Sequence, residues 1–454
     1  MSELAAVILA AGKGTRMKSE LPKVLHEVAG QPMLAHVLDA AEMAGANRKV
    51  VIVGFGAAKV SVFVGDRAEL AEQKEQLGTG HALMQAQPLL ETFKGTIMVL
   101  CGDTPLLDGR ELRKFYEHHK ESNNSATVLT ALLRDATGYG RVVRNHDNEV
   151  EKIVEQKDAS IKELTINEIN TGIYCFEAGE LFAALATVDC NNAQGEYYLT
   201  DVIAKLVAKG SKVGAMIAAD PDTIMGINSR VQLAEAEKWM KAKINRHFME
   251  EGVTIIDPDN TYINPTVIIG KDTVIYPGTI LEGNTSIGEG CIIGPNTRMS
   301  NVTAGKNSHI HFTYAHDAAC GDNAEIGPYA HLRPGTRLAD NVKVGNFVEV
   351  KNSWVGIGSK LPHLSYIGDA DIGDNVNMGC GTITVNYDGK KKYRTKVEDN
   401  AFVGCNSNLV APVTIGSNSY VGAGSTITKD VPPQALGVAR SKQKNIENWK
   451  KSED

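Results

Sequence analysis

From Ile263 onward an aliphatic residue returns every six positions, and this period constrains the fold of the second half more than any other feature. The ladder runs Ile263, Ile269, Ile275, Leu281, Ile287, Ile293 and Met299, then Ile326, Leu332, Leu338, Val344 and Val350. After one slip it continues as Val355, Leu361 and Ile367, and it ends as Val403, Leu409, Ile415, Val421 and Ile427. Six matches neither the 3.6-residue helix nor the two-residue strand. It matches a parallel β-helix whose coils have three short faces, with the inward residue of each face stacked on its neighbours in one continuous core. Two irregularities interrupt the ladder, a slip near 350 to 355 and a break between about 373 and 402. A loop projecting from a break in a regular array is a natural place for function.

The chain has 454 residues and a net charge of −7. That balance argues against a non-specific nucleic-acid binder, which needs a basic face. Nothing approaches eighteen consecutive apolar residues, so no membrane span is expected. The apolar start, Leu4 to Ala11, lacks a basic leader and reads as a buried strand. Seven cysteines, at 101, 175, 190, 291, 320, 380 and 405, are scattered without CxxC spacing. Free thiols in a reducing compartment follow, with no zinc site, and a cytoplasmic location is expected.

The first half reads differently. Apolar runs at Ala5–Ala10, Val50–Val53 and Thr96–Leu100 alternate with helical stretches such as Met33–Ala44. Alternation of this kind predicts an α/β domain around a mostly parallel sheet, Rossmann-like, with ligands at the carboxyl ends of the strands. Two glycine-bearing turns fall there, Ala11-Gly12-Lys13-Gly14-Thr15-Arg16-Met17 and Cys101-Gly102-Asp103-Thr104-Pro105. The first is no P-loop, since Val7 stands where that motif needs glycine, and no dinucleotide fingerprint, since Met17 stands where the third glycine belongs. Free amides beside Lys13, Arg16 and Lys23 suit a polyphosphate, although short glycine turns are more often plain turns.

Arg230 to Glu251 is rich in Ala, Glu and Lys and predicts a long helix stopped by Gly252. It divides the chain into 1–229, a connecting helix 230–251, and a repeat domain with a C-terminal tail, 252–454. In the repeat, His363 has the intrinsic basicity to take a proton from an amine. Arg333 and Lys351, on earlier coils, suit a phosphate. Lys390-Lys391-Lys392 reads as a solvated loop tip.

Leu9-Ala-Ala-Gly-Lys-Gly-Thr15-Arg16-Met17, Leu21-Pro22-Lys23, Gln76-Leu77-Gly78-Thr79-Gly80, Gly102-Asp103-Thr104-Pro105, Thr137-Gly138-Tyr139-Gly140-Arg141, Glu168-Ile169-Asn170-Thr171-Gly172 and Asn191 to Tyr198 together resemble the sugar-nucleotide pyrophosphorylases. With the six-residue repeat added, the whole chain resembles the bacterial family that couples a uridyltransferase to an acetyltransferase. The resemblance implies a left-handed parallel β-helix and two reactions. Glucosamine-1-phosphate is acetylated from acetyl-CoA, and N-acetylglucosamine-1-phosphate is joined to UTP with release of diphosphate. It further implies Mg2+, a homotrimer, and a product that feeds cell-wall and lipopolysaccharide synthesis.

Residue by residue, the resemblance puts Leu9, Ala10, Ala11 and Gly12 on the nucleotide and Arg16 and Lys23 on its phosphates. Gln73, Gly78 and Thr79 face the uracil, and Asp103 and Asn228 hold the metal. Gly140, Glu155 and Asn170 hold the N-acetylglucosamine. Cys101 stands where several relatives carry tyrosine and contributes backbone atoms. In the repeat, His363 is the proton acceptor, and Arg333, Lys351, Tyr366 and Asn377 bind the sugar phosphate. Asn386, Tyr387, Ala423 and Arg440 line the acetyl-CoA site with Cys380 and Cys405, where relatives commonly have alanine and serine.

Overall fold

The computed structural model describes residues 3–447 and Trp449, so the last part of the expected C-terminal tail lies outside the described residues. The chain divides into two compact units, Met1–Met240 and Lys241–Asp454, and the division falls inside the helix Arg230–Glu250. That helix ends where predicted, at a glycine with positive φ, Gly252.

The first unit is built on one sheet with the order Val213–Ile217, Ala126–Leu132, Glu168–Glu177, Thr96–Cys101, Leu4–Leu9, Arg48–Val53 and Glu69–Glu72. Leu4–Leu9 pairs in parallel with Arg48–Val53 on one side and Thr96–Cys101 on the other. The near-continuous apolar runs follow from helices covering both faces, since a strand buried on both sides has no solvent face to make polar. Ala5, Ala6, Val7 and Ile8 are fully buried, with Ala6 and Ile8 in one core cluster and Ala5 and Val7 in the other. The sheet is mixed: Glu168–Glu177 runs antiparallel to both neighbours and also pairs with Arg141–Arg144 of a hairpin. Because strand order reverses between Leu4–Leu9 and Thr96–Cys101, their carboxyl ends open a crevice, and the two glycine turns leave from it.

The second unit is a parallel β-helix of three sheets with eleven, ten and nine strands. Every rung read from the sequence is buried. The ladder also runs through its apparent first gap on Ala304, Ile310, Ala315 and Cys320, all buried. Two of these are alanines, too small to register as aliphatic rungs.

The break at 373 to 402 is narrower than expected. Strands Asn377–Met378, Ile383–Val385 and Thr395–Val397 keep the coil going, with Met378, Thr384 and Val397 inward. Only the segment 386–394 leaves the coil.

A second ladder of small hydroxyl residues precedes many rungs by two positions. Ser308, Ser359 and Thr336 are buried and donate to carbonyls of the next coil, Gly321, Gly373 and Val350. A hydroxyl fits the tight corner and satisfies a buried acceptor that an aliphatic side chain would leave bare. Many corners turn through asparagines with positive φ, Asn307, Asn323 and Asn341 among them, the residue type that tolerates this conformation best after glycine.

Candidate active sites

The first site sits at the strand ends of the α/β unit, a cavity of about 290 Å³. Leu9, Ala10, Ala11, Gly12, Lys23, Gln73, Gly78, Thr79, Cys101 and Asp103 line it. Gln76 and Glu196, which fall in motifs that carry the resemblance but had no role of their own, complete the wall with Val24 and Ala82. Gln73 is buried, and its amide donates to the Gly78 carbonyl at 3.0 Å, which ties the end of one strand to the next loop. Gly78 has a φ of +108°, and a Cβ there would lie 2.6 Å from the Tyr197 carbonyl. Only glycine lets this loop close against the Asn191–Tyr198 segment, which brings Glu196 to the cavity.

Asp103 and Asn228 meet around one ammonium group. Lys23 Nζ donates to Asp103 Oδ2 and, at 2.9 Å, to Asn228 Oδ1. A carboxylate and an amide oxygen thus converge on a single cation, which is the donor chemistry a hard divalent ion uses. Asn228 is not the cap of the helix that follows. Ser229 Oγ accepts from the Gln232 backbone amide at 3.2 Å, Gln232 Oε1 accepts from the Asn228 backbone amide at 2.8 Å, and Asn228 Nδ2 donates to the Gly226 carbonyl at 3.2 Å, which leaves Asn228 Oδ1 for Lys23. Arg16 is exposed on the short turn Thr15–Met17. The Cys101 thiol is pushed up to about 12, first by burial and then by Asp103, so it carries no reactive thiolate.

Gly140, Glu155 and Asn170 form a neighbouring cluster outside that cavity wall. A Cβ on Gly140 would lie 3.5 Å from both Asn170 Cβ and Glu155 Oε2. Asn170 Oδ1 is fixed by Tyr174 Oη at 2.9 Å and the Gly172 amide at 3.1 Å. Burial raises the Glu155 carboxyl above its ordinary range, against the opposing hydrogen bond from Thr200.

The second site lies along one corner of the β-helix. His363 pairs in register with Asn346 of the preceding coil, and its Nδ1 faces Asn346 Oδ1 in a short hydrogen bond. An amide oxygen accepts only, so Nδ1 carries the proton and Nε2 keeps its lone pair. Asn346 was not singled out from the sequence; its partnership with His363 shows only once the coil length is known.

Below His363 the corner continues through three backbone bonds. Gly381 donates to His363 at 3.3 Å, Asn406 to Cys380 at 2.7 Å, and Gly424 to Cys405 at 2.8 Å. His363, Cys380, Cys405 and Ala423 therefore form one column, and Arg440 Nη1 reaches the Ala423 carbonyl at 2.7 Å. Cys405 is exposed and Cys380 half-buried.

Around the corner, on the next face, the cations gather. Tyr366 pairs with Glu349, and Arg333 Nη1 binds Glu349 Oε1 at 2.7 Å. The loop 386–394 folds back over this face: Asn386 Nδ2 donates to Asp369 Oδ2 at 2.5 Å and Tyr387 bridges to Lys392. The Lys351 amine is lowered from its ordinary range, chiefly by contact with Lys392, then by burial and by Arg333. Arg333, Lys351 and Lys392 crowd here against two carboxylates, Glu349 and Asp369, and the one positive charge in excess suits an anion. Lys392 is exposed, as expected of a solvated tip, and is also a member of this set that sequence reasoning did not name. Asn377 is not brought to these residues; it pairs with Lys360 and Phe402 on the face that precedes the corner.

A nucleotidyl transferase family model matches residues 5–240. The bacterial transferase hexapeptide model, of six repeats, matches 266–301, 317–352 and 394–429. Over nearly its full length the chain is similar to proteins named bifunctional protein GlmU. One from Geobacillus sp. (strain WCH70) is 55% identical over 98% of this chain and 97% of that one. One from Halalkalibacterium halodurans is 53% identical over 99% of each. One from Shouchella clausii is 51% identical over 100% of each.

Proposed function

The chain belongs to the family of bifunctional GlmU proteins, and from that membership we infer how its residues divide two transfers between its two units. The hexapeptide unit, a left-handed β-helix, acetylates glucosamine-1-phosphate from acetyl-CoA. The nucleotidyltransferase unit then joins N-acetylglucosamine-1-phosphate to UTP, giving UDP-N-acetylglucosamine and diphosphate. The observation that carries this reading is the similarity, over nearly the full chain, to proteins named bifunctional, and a polar cluster suited to one of the two reactions in each unit supports it.

In the acetyl transfer, Arg333, Lys351 and Lys392 hold the sugar phosphate, with Tyr366 beside them. The sugar amine gives its proton to His363 Nε2 and attacks the thioester carbonyl; the C–S bond breaks and the thiolate of CoA leaves. Asn346 is a positioning residue, fixing the tautomer that makes Nε2 the base. The corner column Cys380, Cys405 and Ala423, with Arg440 and the loop residues Asn386 and Tyr387, receives acetyl-CoA.

In the uridylyl transfer a phosphate oxygen of the sugar phosphate attacks the α-phosphorus of UTP and diphosphate departs. Catalysis of this kind is positioning and charge neutralisation. Amides of Leu9 to Gly12 and the cations Arg16 and Lys23 face the triphosphate, while Gln73, Gly78 and Thr79 hold the uracil. Gly140, Glu155 and Asn170 hold the acetylated sugar. Asp103 and Asn228 would hold Mg2+, which supplies further neutralisation of phosphate charge.

We place the enzyme in the cytoplasm, in line with its free cysteines and its phosphorylated substrates. The assembly is a homotrimer, as membership of the family implies, and one corner of the β-helix carries bulky apolar residues in a costly conformation that a neighbouring subunit would cover. Phe312, Tyr329, Phe347 and Leu364 all have positive φ, and the last three are 55–59% exposed. Free thiol appearing from acetyl-CoA only when glucosamine-1-phosphate is added, and Mg2+-dependent diphosphate release from UTP with N-acetylglucosamine-1-phosphate, are the expected results. Absence of the first in folded protein would reduce the β-helix to a scaffold.

A further inference from the structure

Beside the acetyl-CoA corner, the β-helix presents an aromatic pair that neither reaction accounts for. Phe402 and Tyr420 are register partners on successive coils, with ring centroids 5.6 Å apart and planes 29° apart. They are 42% and 56% exposed, and Leu436 continues the column at 67%. Large apolar side chains stacked in solvent gain little for the fold, because their outer faces remain in water. The pair stands on the coils that carry Cys405 and Ala423. Between ring and corner lie only Val403 and Val421, which are buried in the core, and Gly404 and Gly422, which have no side chain. A side chain close to this strip, Val438 of the next coil, is itself apolar; it is 54% exposed and lies 3.1 Å from where a Cβ on Gly422 would stand.

Coil spacing supplies the length. Successive strands of a sheet lie about 4.8 Å apart, so from the His363 coil the Phe402 coil is two steps, roughly 10 Å, and the Tyr420 coil three steps, roughly 14 Å. Past Leu436 the chain turns cationic, with Arg440, Lys442 and Lys444 exposed and Arg440 held at the Ala423 carbonyl. In order from His363 the surface is therefore base, apolar wall, cations. The order of groups in acetyl-CoA is thioester, pantetheine arm, phosphates.

We propose that Phe402 and Tyr420 form the side wall of the acyl-donor site, packing against the pantetheine arm while the thioester lies at His363 and the phosphates at Arg440 and the lysines beyond. This rests on reading Cys380, Cys405, Ala423 and Arg440 as the acetyl-CoA site, and it adds residues that contact the donor through apolar surface instead of backbone.

The test compares two donors, acetyl-CoA and S-acetyl-N-acetylcysteamine, whose truncated arm does not reach the rings. Phe402→Ser and Tyr420→Ser each raise the KM for acetyl-CoA by roughly threefold to tenfold, the scale of one lost aromatic contact, in KM more than in kcat. The same variants leave the KM for the truncated donor where it was, and Tyr420→Phe retains wild-type values. An unchanged kcat with the truncated donor reports that the β-helix of each variant is folded. An unchanged acetyl-CoA KM in the double variant overturns the proposal, and so does a parallel rise for both donors. A lower solution mass with an unchanged acetyl-CoA KM assigns the rings to a subunit contact and overturns it too. If Arg440→Ala also leaves the acetyl-CoA KM unmoved, the donor site itself has been misread; if Arg440→Ala raises it and the ring variants do not, only the wall has failed.

Discussion

At the scale of single residues, the acetyl transfer proposed for the second site rests on one imidazole and the amide oxygen that faces it. His363→Ala should lower acetyl transfer by roughly 10²–10⁴, the range for removal of a general base. Asn346→Ala should lower it by less, because the base remains and only its tautomer and direction are freed. Asn346→Asp separates orientation from mere packing: a carboxylate beside Nδ1 stabilises the imidazolium and should move the acidic limb of the kcat/KM–pH profile upward. A profile that does not move would leave Asn346 a structural residue. In the first unit, Glu177 takes hydrogen bonds from His119, Lys120 and Thr96, and its carboxyl is lowered to about 2, with His119 the largest cause. A folded-state value below the ordinary 4.5 contributes stability above about pH 4.5 that is lost as pH falls toward 2. Glu177→Gln should therefore flatten the fall in urea midpoint across that window, and an unflattened fall would place the acid-sensitive group elsewhere.

At the scale of elements, a corner of the β-helix is cheap for glycine or asparagine and expensive for anything bulkier. Each apolar residue held in the left-handed region costs roughly 1–2 kcal/mol. The column runs Phe312, Tyr329 and Phe347 through direct backbone bonds, and the Tyr329 and Phe347 rings stack at 5.2 Å and 9°. Stacking offsets part of that cost within one chain, and a covering subunit would offset more. Tyr329→Asn and Phe347→Asn relieve the strain and should not destabilise an isolated chain, yet the double variant should fall from trimer to monomer in solution mass and lose acetyl transfer with uridylyl transfer intact. A double variant that stays trimeric would show that the column serves only its own coil stack. The loop 386–394 shows the same economy. One excursion from the coil brings Asn386 to Asp369 and Lys392 to Lys351, placing a cation where no rung of the regular ladder could.

At the scale of the whole molecule, each set of reacting groups lies within one compact unit, 1–240 or 241–454. Asp103→Ala should abolish only the uridylyl step and His363→Ala only the acetyl step. Mixing the two variants should then restore formation of UDP-N-acetylglucosamine from glucosamine-1-phosphate after a lag, because the acetylated intermediate leaves one protein and enters the other. A mixture that stays inactive, with each variant active in its own remaining half-reaction, would mean that the intermediate is not released.

The six-residue ladder by itself determined the β-helix, since no other fold turns that period inward, and every rung it named is buried. Sequence pattern likewise determined the α/β unit and the two turns at its strand ends, because fully buried parallel strands must be apolar throughout. What the pattern missed were rungs too small to count as apolar, Ala304 and Ala315, and the strands that carry the coil past Ile367. Motif resemblance named Asp103, Asn228 and His363. Only the tertiary structure decided that Asn228 points at Lys23 while a neighbouring serine caps the helix, that Asn346 orients His363, and that Lys392 joins Arg333 and Lys351. The reason is register. A period tells which side chains face inward, but which outward side chains become neighbours depends on the number of residues in each coil and on how a loop returns to it. Neither number is written in the period. The regular rungs fix the shape, and the corners and the excursion 386–394 set out the groups to which the proposed chemistry is assigned.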